Sequence, residues 1–503
     1  MPETGEPGAG TGADAGGAPA VPAAPAIDPH SDARALTFWQ KFMYALGNFP
    51  QGVGPAIVVG WLQYYYTKTS SSLDGKITTD VAAGAALLSY AVFGYIAGGA
   101  RMMEAIANPI VGYLSDRTTS RFGRRRPFVL FLSPVLALAL VAMWFPPVGS
   151  ASATNGVWLG VTLGLFWLCY AGVVGPYLSL LPEITPYLKE RVTLSAIMGV
   201  LEVVGMVVST VLAGIVIDAY RAGVRVAGIP LDGYKLLGVG VGLLTLVCVW
   251  LAMRFVRETP HSAAKEVPFQ FGTAVKHTLR NRLFVPYVLS VSFFTIGIDS
   301  VVVSMPFLVG RVLLKNEDLA GLLQGAVVVF AALMFPLVGW LAGRFGKRRI
   351  FNLGLGGFAA GLPLLFFVGT NPFIGWGIVK LLGVFGVAFA SPFGAAQIAH
   401  IVVVLLIISF PVATRFVLPR AIFADVVDED EKLTGYRREA MYNGMEGIVS
   451  KTAAALVPLI TTQLFRLFGA EPGHSLGVLL VGPVAGVFVF LGLVAFLRYP
   501  LRD

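Results

Sequence analysis

From residue 42 to residue 497 the chain alternates long apolar runs with short polar interruptions. Twelve runs stand out, with cores near 42–66, 82–114, 128–146, 157–181, 192–217, 236–253, 284–310, 320–342, 350–369, 396–423, 441–465 and 475–497. Runs near the roughly 20 residues that carry an α-helix across a bilayer predict membrane helices. The short alternating segments of a membrane barrel are a different pattern. A thirteenth candidate, Ile374 to Ala390, lies between the turn signals Asn371-Pro372 and Ser391-Pro392 and contains Lys380. Charge decides the parity. With twelve spans, 24 of the 37 Lys and Arg fall on the side of both termini, 9 in the opposite loops and 4 within spans. That asymmetry places both termini in the cytoplasm. A full thirteenth span would misplace either the 344–349 or the 432–438 basic loop, so 374–390 is expected to be re-entrant, outer-interfacial or an extension of a broken tenth helix.

Composition narrows the class. The chain is 56% hydrophobic and 13% charged, with a mean hydropathy of +0.75, against about 25% charged residues in soluble proteins. A soluble enzyme, a disordered chain and a fibrous one are excluded. The net charge of +9 reads as topology, not nucleic-acid binding. Cys169 and Cys248 lie inside apolar runs and build no disulfide framework or metal site. No H-E-x-x-H or G-x-x-x-x-G-K-[ST] pattern occurs, so neither an enzyme nor a bound cofactor is expected. The expected partners are the bilayer and a small solute, and the expected form is a monomer in the plasma (inner) membrane.

Residues 1–37 read as a disordered cytoplasmic tail, 38–256 and 283–498 as six-helix bundles, and 499–503 as a C-terminal tail. Between the bundles, 257–282 is a basic connection. There Phe269, Phe271, Val275 and Leu279 recur against Lys276 and Arg280, the pattern of an amphipathic helix on the cytoplasmic leaflet.

The halves share a repeat. Gly112-Tyr-Leu-Ser-Asp-Arg117 and Phe122-Gly-Arg-Arg-Arg126 in the first half answer Gly339-Trp-Leu-Ala-Gly-Arg344 and Phe345-Gly-Lys-Arg-Arg349 in the second. Two parallel six-span repeats enclosing a central site are the architecture of the major facilitator superfamily. The loop GYLSDRTTSRFGRRRPF (112–128) resembles that superfamily's signature. YALGNFPQGVGPAIVVGWLQYYYTK (44–68), PYLSLLPEITPYLKERVTLSA (176–196) and ADVVDEDEKLTGYRREAMYNGMEGIVSK (424–451) are similar to segments of melibiose-permease-type members of the glycoside–pentoside–hexuronide:cation symporters. The resemblance implies an all-α integral membrane fold, twelve helices in two six-helix halves, over about residues 38–498. In the signature loop, Gly112 would let helices approach. Asp116, with Arg117, Arg124 and Arg125, would form a latch that holds one conformational state; otherwise the loop only anchors topology.

Ionisable residues at membrane depth are costly and mark pathways. Arg101, Glu104 and Asn108 share one helix face at i, i+3 and i+7. Their oxygens suit a hard cation such as Na⁺ bound by Glu104 and Asn108, or H⁺ on Glu104 alone. Alternatively, Arg101 and Glu104 only neutralise each other. The resemblance aligns ARMMEAIANP (100–109) with the family's cation site, where a second acid usually stands at the position of Asn108. Glu202, Asp299, Arg415, Glu446 and Lys451 are the other polar candidates for the substrate site, joined by Gln51 and Tyr64 on span one. Lys451 matches a family lysine between the sugar and cation sites. Arg415 either binds an anionic group or pairs with Glu446. Asn48, Gln63 and Tyr64–Tyr66 line or flank span one, the tyrosines most simply as an interfacial belt.

The expected function is secondary active transport by alternating access, with H⁺ or Na⁺ symport. The family implies a glycoside. The positions where the family carries sugar-binding acids and an arginine are Gly52, Val174 and Gly199 here, which fits an amphipathic or anionic solute such as a lysolipid. A non-transporting membrane sensor of the same fold is the rival from another class.

Overall fold

A computed structural model describes residues 36–67, 86–118, 120, 122–185, 187–226, 228–254, 281–434 and 439–500. The 1–35 tail, the amphipathic segment 269–280 and residues 501–503 lie outside the described residues. The first span is α1 (Phe38–Ala45), a 3₁₀ turn (Leu46–Asn48) and α2 (Phe49–Thr67). Spans two to four are α3 (Tyr90–Arg117), α4 (Arg126–Ala142) and α5 (Ala153–Ser179). After a short α6 (Leu181–Ile184) come α7 (Leu188–Ala219) and α8 (Gly233–Arg254).

The second half contains α9 (Phe284–Phe307), which ends in a π turn (Leu308–Val312), and α10 (Glu317–Phe345). Then α11 (Lys347–Gly361) runs through a 3₁₀ segment (Leu362–Phe366) into α12 (Phe367–Thr370). A helix α13 (Phe373–Val384) precedes α14 (Pro392–Thr434), α15 (Glu439–Phe468) and α16 (Leu476–Leu497).

Twelve spans therefore stand in two sets of six. Among the described residues, nine helices are long and apolar enough to cross a membrane by length and composition alone. The other three have local reasons to fall short. α4 has 17 residues, α3 carries Arg101, Glu104, Asp116 and Arg117, and α2 is diluted by Gly, Pro and Tyr. The second span begins at Tyr90, capped by Ser89, rather than near 82. The loop after α7 folds as an antiparallel hairpin, β1 (Val224–Val226) with β2 (Ile229–Leu231), which the hydropathy pattern does not predict. Gly223 and Gly228 make it possible by taking φ of +76° and +82°.

The uncertain segment 374–390 is a separate helix, α13, of 12 residues, about 18 Å long and too short to span. It packs along α14 through Gly375, where any Cβ would strike the Ala396 backbone. Its far side, including Val384 and Phe385, is exposed. Next to it, the helix break at Leu362–Phe366 frees carbonyls that must find donors at membrane depth. α14 supplies them: His400 Nε2 reaches Leu364 O at 3.0 Å, and Gln397 Nε2 donates to Val368 O at 3.1 Å.

The halves touch through three helix pairs, α3 with α15, α7 with α10 and α2 with α9. Small residues make the contacts, as membrane helices require for close approach. A Cβ at Gly214 would sit 3.0 Å from Gly321 Cα, and one at Gly98 would sit 3.0 Å from Ala455 O. Gly94 abuts Thr462, and Tyr64 stacks edge-on against Phe307 at 5.0 Å. All of these lie toward the face opposite the basic loops. Toward the basic face, Gly112, Gly199, Gly339, Gly343, Gly444 and Gly447 have nothing within 4 Å of a Cβ position. The molecule is a V, closed on one face and open on the basic one. Gly112 consequently does not mediate a close helix approach in this state, because the halves have parted there.

On the basic face, cations cap helix C-termini, where carbonyls lack partners. Arg125 donates to Ser179 O, Arg126 Nη2 to Met253 O at 3.2 Å, and Arg348 Nη2 to Leu497 O at 3.1 Å. Lys347 Nζ binds both oxygens of Asp425 at 2.7 and 2.6 Å.

Candidate functional site

At the apex of the V, halfway along α3, Glu104 is 2% exposed and lies between two cations. Arg101 Nη1 is 2.9 Å from Oε2, and Lys451 Nζ of α15 contacts Oε1. The first partner follows from helical spacing within α3. The second comes from the other half, so a single carboxylate ties the halves together at membrane depth. Arg101 also lies over the Trp167 ring, 3.7 Å from its centroid, a cation–π contact that places the guanidinium against α5.

Asn108 does not join this carboxylate. Its Nδ2 donates to the main-chain carbonyl of Glu104 at 2.7 Å. That bond holds the amide against its own helix, one turn from Glu104. A helix-internal acceptor one turn back is the nearest one for a side-chain amide. Among the described residues, no group of three or more His, Cys, Asp or Glu stands together as a metal site.

Above Glu104, toward the closed face, a small, partly open cavity of about 50 Å³ is bounded by α2, α3, α5, α9 and α15. Its polar lining is Gln63, Arg101 and Asp299, with the indole of Trp167; the remaining wall is Val, Leu, Phe, Ala and Pro. Gln63 crosses the interface, accepting from Thr461 Oγ1 at 3.2 Å.

The other candidates separate into two groups. In the second half, Arg415 Nη2 donates to Thr295 Oγ1 at 3.2 Å, and Tyr287 OH donates to Glu446 Oε1 at 3.2 Å. Arg415 and Glu446 are thus neighbours held by separate partners from α9, not an ion pair. In the first half, Glu202 Oε2 accepts from Asn48 Nδ2 at 2.9 Å. Gln51 lines a second space confined to that half, between α2, α4, α5 and α8.

The tyrosines are not an interfacial belt. Tyr64, Tyr65 and Tyr66 are all buried. Tyr65 and Tyr66 donate to Trp144 O at 3.1 Å and Met143 O at 2.7 Å, while Tyr64 meets Gly310 of the π turn in the closed seal. Of the latch residues, Arg117 stacks on Tyr113 at 4.4 Å and Arg125 caps α5. The Asp116 side chain lies outside what is described. Gly52 is filled by helix packing, since a Cβ there would collide with Glu202 O, whereas Gly199 faces open space.

The sequence reading missed Trp167, Tyr287, Thr295 and Thr461. Thr295 and Asp299 at i and i+4 on α9 were a legible polar face. Nothing local marked Trp167, one aromatic among many in α5.

Comparison with known proteins follows this geometry. The family described as MFS/sugar transport protein matches residues 43–503. The isoprimeverose transporter of Lactiplantibacillus pentosus is 24% identical over 480 residues, covering 94% of this chain and 90% of its own. The sodium-dependent lysophosphatidylcholine symporter 1-A of Danio rerio is also 24% identical, over 513 residues, covering 93% and 87%. In fold, the chain is similar to the partially occluded, inward-open xylose transporter XylE from E. coli. That match has a TM-score of 0.60 at 15% identity and covers 92% of this chain and 99% of that one. The chain therefore belongs to the MFS/sugar transport protein family, and it is an alternating-access membrane transporter of the major facilitator superfamily, not an enzyme.

Proposed function

We propose that this transporter carries an amphipathic solute with a charged head by cation-coupled symport. The wall chemistry of the central cavity carries the reading. A sugar is discriminated by polar groups that match its hydroxyls, and a site lacking them discriminates poorly. Here Gln63, Arg101 and Asp299 are set in an otherwise largely apolar wall, which suits an alkyl chain with one ionic or strongly polar end. Lys451 and Arg101 are the head-group contacts, with Arg415, Glu446 and Glu202 lining the route toward the open face. Gln51 and Tyr64 serve packing. Among the relatives, one is named for a sugar and one for a lysophospholipid, and the wall favours the second chemistry.

With the basic loops in the cytoplasm, as the charge asymmetry supports, the V is the inward-facing state. The Glu104–Lys451 contact is then the tie between halves that a coupling cation or an anionic head group competes for. The test is a thermal-shift panel on purified protein, with and without Na⁺, using lysophosphatidylcholine and a disaccharide as probes. A ligand that binds only the folded state raises its stability. Stabilisation by the lysolipid is expected. Stabilisation by the disaccharide alone would return the protein to the glycoside carriers.

A further inference from the structure

Asp299 stands on α9 at membrane depth, on the wall of the same cavity as Arg101, Gln63 and Trp167. Unlike Glu104, its carboxylate has no hydrogen bond and no ion pair among the described residues. The charges that act on it come from separate elements: Arg101 and Glu104 of α3, and Arg415 of α14. From α15, Lys451 is engaged with Glu104 and Glu446 with Tyr287. The other helices packed on α9 add little. α2 and α16 contain no Asp, Glu, His, Lys or Arg, and α10 has charge only near its ends, at Glu317, Asp318 and Arg344.

Two opposing effects meet at this carboxyl. Asp299 is half-buried, and partial removal of a carboxylate from water without a hydrogen-bond partner favours the neutral acid. Against that, Arg101 and Arg415 together outweigh Glu104, which favours the carboxylate. A group under opposing pulls gains and loses a proton readily, whereas one held by two cations stays ionised. We propose that Asp299, and not Glu104, is the proton-binding group of the transport cycle.

The step is a proton exchange with water. In one state a proton from the accessible water forms an O–H on a carboxyl oxygen of Asp299; in the other the O–H breaks and the proton returns to water, leaving a carboxylate. Once ionised, Asp299 competes with Glu104 for Arg101, drawing the guanidinium off Trp167 and across the cavity toward α9. Proton release on one side is thereby coupled to the contacts between the halves.

The inference rests on the coupled-carrier reading above, and its two tests separate them. Infrared difference spectra of the full-length protein in lipid, between about pH 5 and about pH 9, read protonated carboxyls without any substrate. The expected wild-type spectrum holds a protonated-carboxyl component that fades as pH rises. It is missing from Asp299→Asn, has a displaced midpoint in Asp299→Glu, and persists in Glu104→Gln. A component unchanged in Asp299→Asn, or lost in Glu104→Gln, overturns the proposal. In proteoliposomes with lysophosphatidylcholine as probe, Asp299→Asn loses accumulation driven by a pH gradient, and Asp299→Glu restores it with a shifted pH profile. Undiminished accumulation by Asp299→Asn also overturns it. If wild-type protein does not move this probe, the substrate reading fails, while the infrared result still decides Asp299.

Discussion

Replacing Gly214 by Ala tests whether the glycine contacts between α7 and α10 hold the halves closed on the face opposite the basic loops. The added methyl would lie 2.7 Å from Glu317 O and 3.0 Å from Gly321 Cα, against an ordinary carbon–carbon separation of about 3.5–4.0 Å. The helices must part by about 0.5–1 Å, and overpacking of this kind costs about 1–3 kcal/mol. The penalty acts only while the two ends touch. It therefore shifts the balance between conformations by roughly 5- to 150-fold toward the state open on the opposite face. Spin labels at Tyr220→Cys and Lys315→Cys, exposed positions on opposite halves of the sealed face, would report the gap by electron–electron distance measurement. The native Cys169 and Cys248 are buried and add little background. Gly205→Ala is the control. Its methyl would strike Phe49 O inside the first half, so it should lower thermal stability without lengthening the distance. A folded Gly214→Ala protein with the wild-type distance distribution would refute the reasoning. So would a Gly205→Ala protein that opens equally.

Three further outcomes follow from the same geometry. Glu104→Gln leaves Arg101 and Lys451 without their common counter-charge and should cost about 3–5 kcal/mol of stability; adding Lys451→Met should recover part of it in thermal unfolding, and no recovery would mean the tie is absent. Cysteines introduced at Arg121 or Lys347 should react with impermeant reagents only after cells are opened, and labelling of intact cells would invert the topology. His400→Leu removes the donor to Leu364 O at the break before α12 and should cost about 1–3 kcal/mol, read as a lowered unfolding temperature; an unchanged temperature would show that another group satisfies that carbonyl.

The spans were legible because membrane insertion depends on a local quantity, the apolar content of a stretch near 20 residues. The same quantity made 374–390 a thirteenth candidate, and the distribution of Lys and Arg between the two sides marked it as something other than a span. What escaped depends on distant parts of the chain. Lys451 and Glu104 are 347 residues apart, and only the packing of α15 on α3 brings them together. For Asn108 the helical period fixed the face but not the rotamer, in which its Nδ2 donates to the Glu104 carbonyl. Tyr64–Tyr66 looked interfacial because hydropathy sees the end of a span, not the neighbours Trp144 and Phe307 that bury it. The signature-loop acid Asp116 was read from sequence alone, and its partner is a matter for the exchange kinetics of Asp116→Asn.

Because the two halves meet at one end only, the molecule works as a pair of long arms on a short pivot. On α10 the contact with α7 runs from Glu317 to Gly325, about 12 Å of helix axis, while Arg344 lies a further 19 residues on, about 28 Å away. Motion at the pivot is multiplied roughly twofold at the far tips. A few tenths of an ångström conceded by Gly214 or Gly321 is therefore delivered enlarged at the basic end, before any side chain lining the cavity has changed. Mechanical advantage of this kind concentrates sensitivity in a few glycines remote from the transported solute, and a small ligand wedged between α7 and α10 at the sealed face would act on the whole carrier.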